Sequence, residues 1–199
     1  MEISYTDLSG KELEVDQLAD IESYIKVFKE NNRLRKNEFY DDNLLSNELY
    51  FIEYGKSHQE LLSLKLESIK ICEIEYIDAN YTKNHNHSYY NSILNRKSIS
   101  VYSNGKAIFY QIIDIKTVKP IYNTTTKSYI DQSSAYKFRF NYSGIGQLTT
   151  VLVFNDSIDF CEQYGVSDLD LIPNFEWWQQ YSSYYLNAEP AVPVDIVIV

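Results

Sequence analysis

Cysteine is scarce in this chain of 199 residues: only Cys72 and Cys161 occur. Two thiols cannot build a disulfide framework, and each sits in an apolar pattern that predicts a small buried hydrophobe. Proline (4) and glycine (6) are also few, which excludes collagen-like and Pro/Gly-rich disordered chains. No apolar run approaches ~18 residues, so no transmembrane helix is expected. The first ten residues hold acids and no hydrophobic signal segment, so the cytoplasm is the default expectation.

Catalytic signatures are missing as well. There is no G-x-S-x-G elbow and no Walker A loop, and Gly144-Ile145-Gly146 lacks the third glycine of a dinucleotide site. Of the three histidines, His85 and His87 flank Asn86 and would point to one side if extended, as metal ligands do. Their segment, Tyr81 to Asn91, reads as the longest polar loop and offers no neighbouring cysteine or carboxylate. Solvated loop histidines are therefore expected, with no metal, no cofactor and no catalytic residue. Carboxylate pairs such as Glu73 with Glu75 read as solvated surface. The one basic cluster, Lys29, Arg33, Arg35 and Lys36, is too little in a chain of net charge −10 to predict nucleic-acid binding.

What the chain does contain is tyrosine (19), isoleucine (21) and asparagine (16), against 6 Ala and 4 Arg. The abundant types have AT-rich codons, as in an AT-rich bacterial genome. Tyrosine also suits recognition, because its ring is large and fairly rigid and carries a polar tip. At roughly 100–200 residues per domain the length predicts a single domain, which buries roughly 70% of its unfolded surface.

Periodicity then assigns the elements. Leu18, Ile21, Ile25 and Phe28 recur at spacings of three and four, so an amphipathic helix is predicted over 15–30, capped by Asp16 and ended by Asn31-Asn32. From 33 to 155 the pattern is mostly of period two. Strands are predicted at Glu48–Tyr54 and Ile69–Asp78; between them Ser57 to Leu66 reads both ways, as a helix by its Ser57-x-x-Glu60 capping box and as a strand by the alternation of Leu62, Leu64 and Leu66, with the helix slightly favoured. A hairpin is predicted around Asn104-Gly105, where both turn residues must accept positive φ. A second joins Tyr136–Tyr142 to Gln147–Phe154. Helices are predicted for 156–189: a short one from Asn155-Asp156 to Gly165, and another at Phe175–Leu186. A last strand falls at 194–199. The expected fold class is α+β: one domain with an N-terminal amphipathic helix, a mainly antiparallel sheet built from hairpins, and C-terminal helices.

Charge is unevenly spread. No lysine or arginine follows Arg139, while residues 140–199 hold eight acids. The same stretch carries Trp177-Trp178 and several tyrosines. Adjacent residues on a helix point about 100° apart, so the two indoles cannot share one face. Acids steer a basic partner and aromatics anchor it. The expected function is accordingly a non-enzymatic binding protein for a basic protein partner, an immunity protein neutralising a toxin being the concrete form. The expected contact residues are Asp156, Asp159, Glu162, Asp168, Asp170, Glu176, Trp177, Tyr181 and Tyr184. Neither nucleic acid nor membrane is expected as a partner. The alternative is a glycan or small-molecule binder with Tyr and Trp in a groove, and the third is an enzyme.

Overall fold

A computed structural model describes residues 1–130, 135–155 and 157–193. Among them thirteen strands occur: β1 (Glu2–Thr6), β2 (Glu12–Leu13), β3 (Ser23–Glu30), β4 (Arg33–Asp41), β5 (Leu44–Glu53), β6 (Ser68–Tyr76), β7 (Tyr81–Tyr90), β8 (Ile93–Ser103), β9 (Lys106–Ile113), β10 (Pro120–Ile130), β11 (Lys137–Tyr142), β12 (Leu148–Asn155) and β13 (Phe160–Gly165). They pair in chain order from β3 to β13, with β1 and then β2 beyond β3. The partnerships of β3 with β1 and β4, of β4 with β5, and those from β9 through β13 are antiparallel. β5 and β6 run parallel, joined through the one-turn helix α1 (Gln59–Leu62). The remaining helical elements are α2 (Trp178–Tyr185) and two 3-10 segments, Val15–Asp20 and Val166–Leu171. None is long and apolar enough to cross a membrane.

Strands take 56% of the described residues and helical turns only 13%, so the fold is mostly β and the α+β expectation is corrected. Its first error is the helix over 15–30. Only Val15–Asp20 is helical there, as a 3-10 turn, and Ser23–Glu30 is β3. Tyr24, Ile25, Val27 and Phe28 are aromatic or β-branched, types that fit a pleated surface. β3 also gains hydrogen-bonded neighbours on both sides, β1 and β4, and this pairing overrides the chance three-four spacing of its apolar residues. Asn31-Asn32 does not end a helix. With φ of 51° and 61°, the pair is a two-residue turn closing the β3–β4 hairpin. Asp42-Asn43 (48°, 61°), Asn91-Ser92 (48°, 62°) and Asn104-Gly105 (48°, 76°) repeat that geometry. Positive φ at both central positions is the type I′ signature, and asparagine tolerates it best after glycine. The abundance of asparagine therefore has a structural use.

The second error lies at the C-terminal end. Residues Phe160–Gly165 form β13, paired with β12 from Asn155↔Phe160 to Thr150↔Gly165. The Asn155 carboxamide oxygen accepts from Ser157 N–H at 3.0 Å, so it closes a turn instead of capping a helix. Cys161 is consequently exposed, while Cys72 is buried as expected. The helix expected at Phe175–Leu186 is present as α2. Residues 194–199, where a last strand was expected, lie outside the described residues.

The chain divides into two compact units. The first comprises Met1–Glu75 and His85–Lys97, the second Tyr76–Asn84 and Ser98–Val199. In the first, Ile69, Ile71 and Cys72 of β6 are buried, and Tyr24 stacks on Tyr40 across β3 and β4 at 4.9 Å. In the second, the alternation of β11 puts Phe138, Phe140 and Tyr142 on one face, beside Val151 and Val153 of β12. Phe175, Tyr184 and Tyr185 pack over them. Each such ring contributes roughly 1.5–3 kcal/mol by leaving water. Lys127 of β10 is fully buried here. Its Nζ donates to the carbonyls of Tyr184 at 2.6 Å and Asn187 at 2.9 Å, and lies 3.7 Å from the Tyr184 ring centre. A buried lysine thus satisfies carbonyls at the end of α2 that no intrahelical N–H reaches. Burial pushes its ammonium down to about 7, against the opposing pull of Glu189.

Candidate functional site

The acids of the C-terminal segment reach solvent because of where their elements end. Asp159 lies in the β12–β13 turn, Glu162 on β13, Asp168 and Asp170 in the 3-10 segment after it, and Glu176 just before α2, and all five are exposed. Glu162 is partly occupied, since the Tyr164 hydroxyl donates to it at 2.5 Å. Asp156 lies outside the described residues. Exposed apolar side chains, Ile158, Val166 and Leu171, are interleaved with these acids.

The aromatic residues are placed differently. Trp177 stacks on Tyr129 at 3.8 Å and meets Phe138 and Phe175 edge-on at 5.2 and 5.1 Å. Its Nε1 is buried without a hydrogen-bond partner. Tyr184 is 2% exposed, and its hydroxyl donates to Ala191 O at 3.0 Å. Tyr181 is half-buried against the same cluster. These rings form the packed backing of the surface. The sequence list omitted Trp178, which stacks on Phe175 at 5.0 Å and lines an open cleft of about 430 Å³. Leu169, Ile172 and Phe175 supply the rest of its apolar wall, and Asp170 and Glu176 stand on it as carboxylates. Among the described residues neither acid enters a salt bridge. The adjacency of the two indoles was the available signal: one turned inward, leaving the other for the cleft.

A second cluster occupies the first unit. The segment expected as a polar loop is β7, and its histidines are buried. The missing carboxylates come from β6. His87 faces Glu73 at 2.8 Å and His85 faces Glu75 at 2.8 Å, two cross-strand pairs spaced by two residues on each strand. Tyr54 stacks on His85 at 4.5 Å. His58, placed just before α1, brings its Nε2 within 3.0 Å of the same Glu73 oxygen, Oε1. The ligand atoms of His58, Glu73 and His87 all lie within 4.8 Å of one another. Burial works to raise the Glu73 carboxyl, but the Gly55 N–H and the two imidazoles outweigh it and hold the group below its ordinary range. Burial pushes the His87 imidazole down to about 4, against the attraction of Glu73. Sequence reasoning missed this cluster because its carboxylates lie on the neighbouring strand rather than beside the histidines in the chain.

The chain matches no protein-family model, no curated protein and no solved structure.

Proposed function

We propose that the protein is a non-enzymatic binding protein whose C-terminal acidic face receives a basic protein partner. The observation that carries the reading is the cleft between the 3-10 segment Val166–Leu171 and α2. Its indole wall and two unpaired carboxylates suit the stem and head of an arginine or lysine. A cation over tryptophan contributes about 0.5–2 kcal/mol, more as water is excluded, and flanking carboxylates add charge-assisted hydrogen bonds. Asp159, Glu162 and Asp168 extend the negative field that steers such a partner, and Ile158, Val166 and Leu171 supply apolar contact. The packed rings behind hold the face rigid, which lowers the ordering cost of association. A protein that covers the active site of a basic toxin, as an immunity protein does, is the concrete form of this proposal.

The test uses a fluorescent arginine-rich peptide and the full chain. Asp170→Asn with Glu176→Gln is expected to weaken binding about tenfold at low salt. An equal charge change at Glu2 and Glu12, two exposed acids of the first unit, should leave affinity within about twofold. Equal losses in the two double variants, or binding indifferent to salt, would overturn the reading.

A further inference from the structure

We propose that His58, Glu73 and His87 form a binding site for a first-row divalent metal ion of the zinc class. Two imidazole nitrogens and one carboxylate oxygen are a donor set for zinc, with one position left for water. The three side chains come from separate places in the first unit: the approach to α1, β6 and β7. Both Nε2 atoms converge on one oxygen, at 3.0 Å from His58 and 2.8 Å from His87. All three side chains are largely enclosed, at 8–13% exposure.

The hydrogen-bond inventory shows why protons alone fit this arrangement poorly. His58 can donate from Nε2 to Glu73 while its Nδ1 accepts from the Tyr89 hydroxyl at 2.6 Å. The approach of His87 Nε2 to the same oxygen misses hydrogen-bond alignment, and this buried nitrogen has no hydrogen-bond partner in the protein. A cation at the point of convergence would take lone pairs from both Nε2 atoms and from Oε1, and so would satisfy all three. Tyr89 would then turn its hydroxyl to accept from His58 Nδ1–H.

Two outer partners of such a site are already in place, at His58 and Glu73. Metal-bound histidines as a rule donate their second ring N–H to an oxygen, and metal-bound carboxylates are themselves hydrogen-bonded. Tyr89 stands at His58 Nδ1, and the Gly55 N–H donates to Glu73 Oε2 at 2.9 Å. Metal–ligand bonds of ~2.0–2.2 Å put ligand atoms about 3.3 Å apart in a tetrahedron, so loading needs each imidazole nitrogen to move away from Glu73 Oε1 by about half an ångström or less. His85 and Glu75 contact one another two residues further along the strands, and form an internal control.

The experiment is titration of the full-length, chelator-stripped chain with Zn²⁺ and, for its spectrum, Co²⁺. One equivalent of Zn²⁺ should bind with a Kd of about 1 μM or tighter, and Mg²⁺ should not compete. Co²⁺ should give the intense visible absorption of a four-coordinate site, with the ring resonances of His58 and His87, not His85, shifted in the NMR spectrum of the Zn²⁺ complex. His58→Gln and His87→Gln should each weaken Zn²⁺ about 100-fold and Tyr89→Phe about tenfold, while His85→Gln stays within about threefold of wild type. Absence of saturable Zn²⁺ binding by the wild-type chain would overturn the proposal, and so would His85 ring shifts in place of those of His58 and His87. The wild-type titration and spectra decide the matter even if a glutamine variant fails to fold.

Discussion

Replacing Lys127 by methionine probes the join between β10 and the end of α2. In the folded chain burial pushes this ammonium down to about 7, against an ordinary value of 10.5. The unfolded chain therefore binds the extra proton between about pH 7 and 10.5, so the lysine's contribution makes stability rise with pH across that window and stay flat below it. At 1.36 kcal/mol per pH unit, the full swing is about 5 kcal/mol, and about 3 kcal/mol of it is complete by pH 9.5. The two carbonyl acceptors and the Tyr184 ring favour the charged form, so about 3–5 kcal/mol is an upper range. The neutral amine still has two N–H donors for its two carbonyls. Methionine removes the titration and leaves those carbonyls unpaired, at about 1–3 kcal/mol each. Near pH 6.5 that cost is offset by release of the buried charge, and the two proteins should differ little. Toward pH 9.5 the variant should fall progressively behind wild type. Urea unfolding of both chains at half-unit pH steps measures the difference, in which titrations common to both cancel. Stability curves that run parallel from pH 6.5 to 9.5 would refute the account of Lys127 as a buried, proton-releasing cap.

The other predictions concern separate elements. Asn32→Val, which forces a β-branched residue to φ of 61°, should cost about 1–2 kcal/mol, whereas Asn32→Gly should be near neutral by thermal unfolding. Lys36 donates to Glu48 at 2.6 Å and pairs with Glu38 at 2.6 Å; Lys36→Met should cost about 1–3 kcal/mol at pH 7 by leaving two half-buried carboxylates facing each other. Burial works to raise the Glu38 carboxyl, but Lys36 and Tyr40 hold it below its ordinary range, so the same deficit should shrink as acid protonates that carboxyl and its pairing with Lys36 is lost. A thiol reagent should label one cysteine in the native protein and two in denaturant, because Cys161 is exposed while burial pushes the Cys72 thiol up to about 12. Tyr142→Phe removes the buried hydrogen bond to Tyr185 O at 3.0 Å and should lower stability by about 1–2 kcal/mol in the same unfolding assay.

The sheet region was legible where period two and turn chemistry agreed. Asn104-Gly105 between two β-rich runs announced its hairpin, and the alternation Phe138, Phe140, Tyr142 announced the buried face of β11. Reading failed where two periods fitted the same residues. Ile21, Ile25 and Phe28 satisfy a helical stripe, yet Tyr24, Ile25, Val27 and Phe28 are residue types that suit a strand equally well, and the flanking strands that decide between them are invisible to local pattern. Asn31-Asn32 and Asn91-Ser92 carried the same turn chemistry as Asn104-Gly105 without its glycine, and so passed as a helix end and as the end of a polar loop. In the candidate sites, charge was readable by position, but the direction of each ring was not. Trp177 and Trp178 differ only in which side of α2 the sheet occupies. The His58–Glu73–His87 cluster could not be read at all from neighbours in sequence, since strand register alone brings 73 opposite 87.

The run of two-residue turns has a kinetic consequence. From β3 to β13 nearly every strand pairs with the one made just before it, so most backbone ladders close only a short loop. Loop-closure entropy is small for such contacts, and chains of low contact order fold faster than β-sandwiches with long Greek-key returns. A chain leaving the ribosome can add each hairpin to the last as it emerges, without waiting for a distant partner. For a protein that is more than half strand, the interval in which unpaired strand edges are exposed to other chains is thereby kept short.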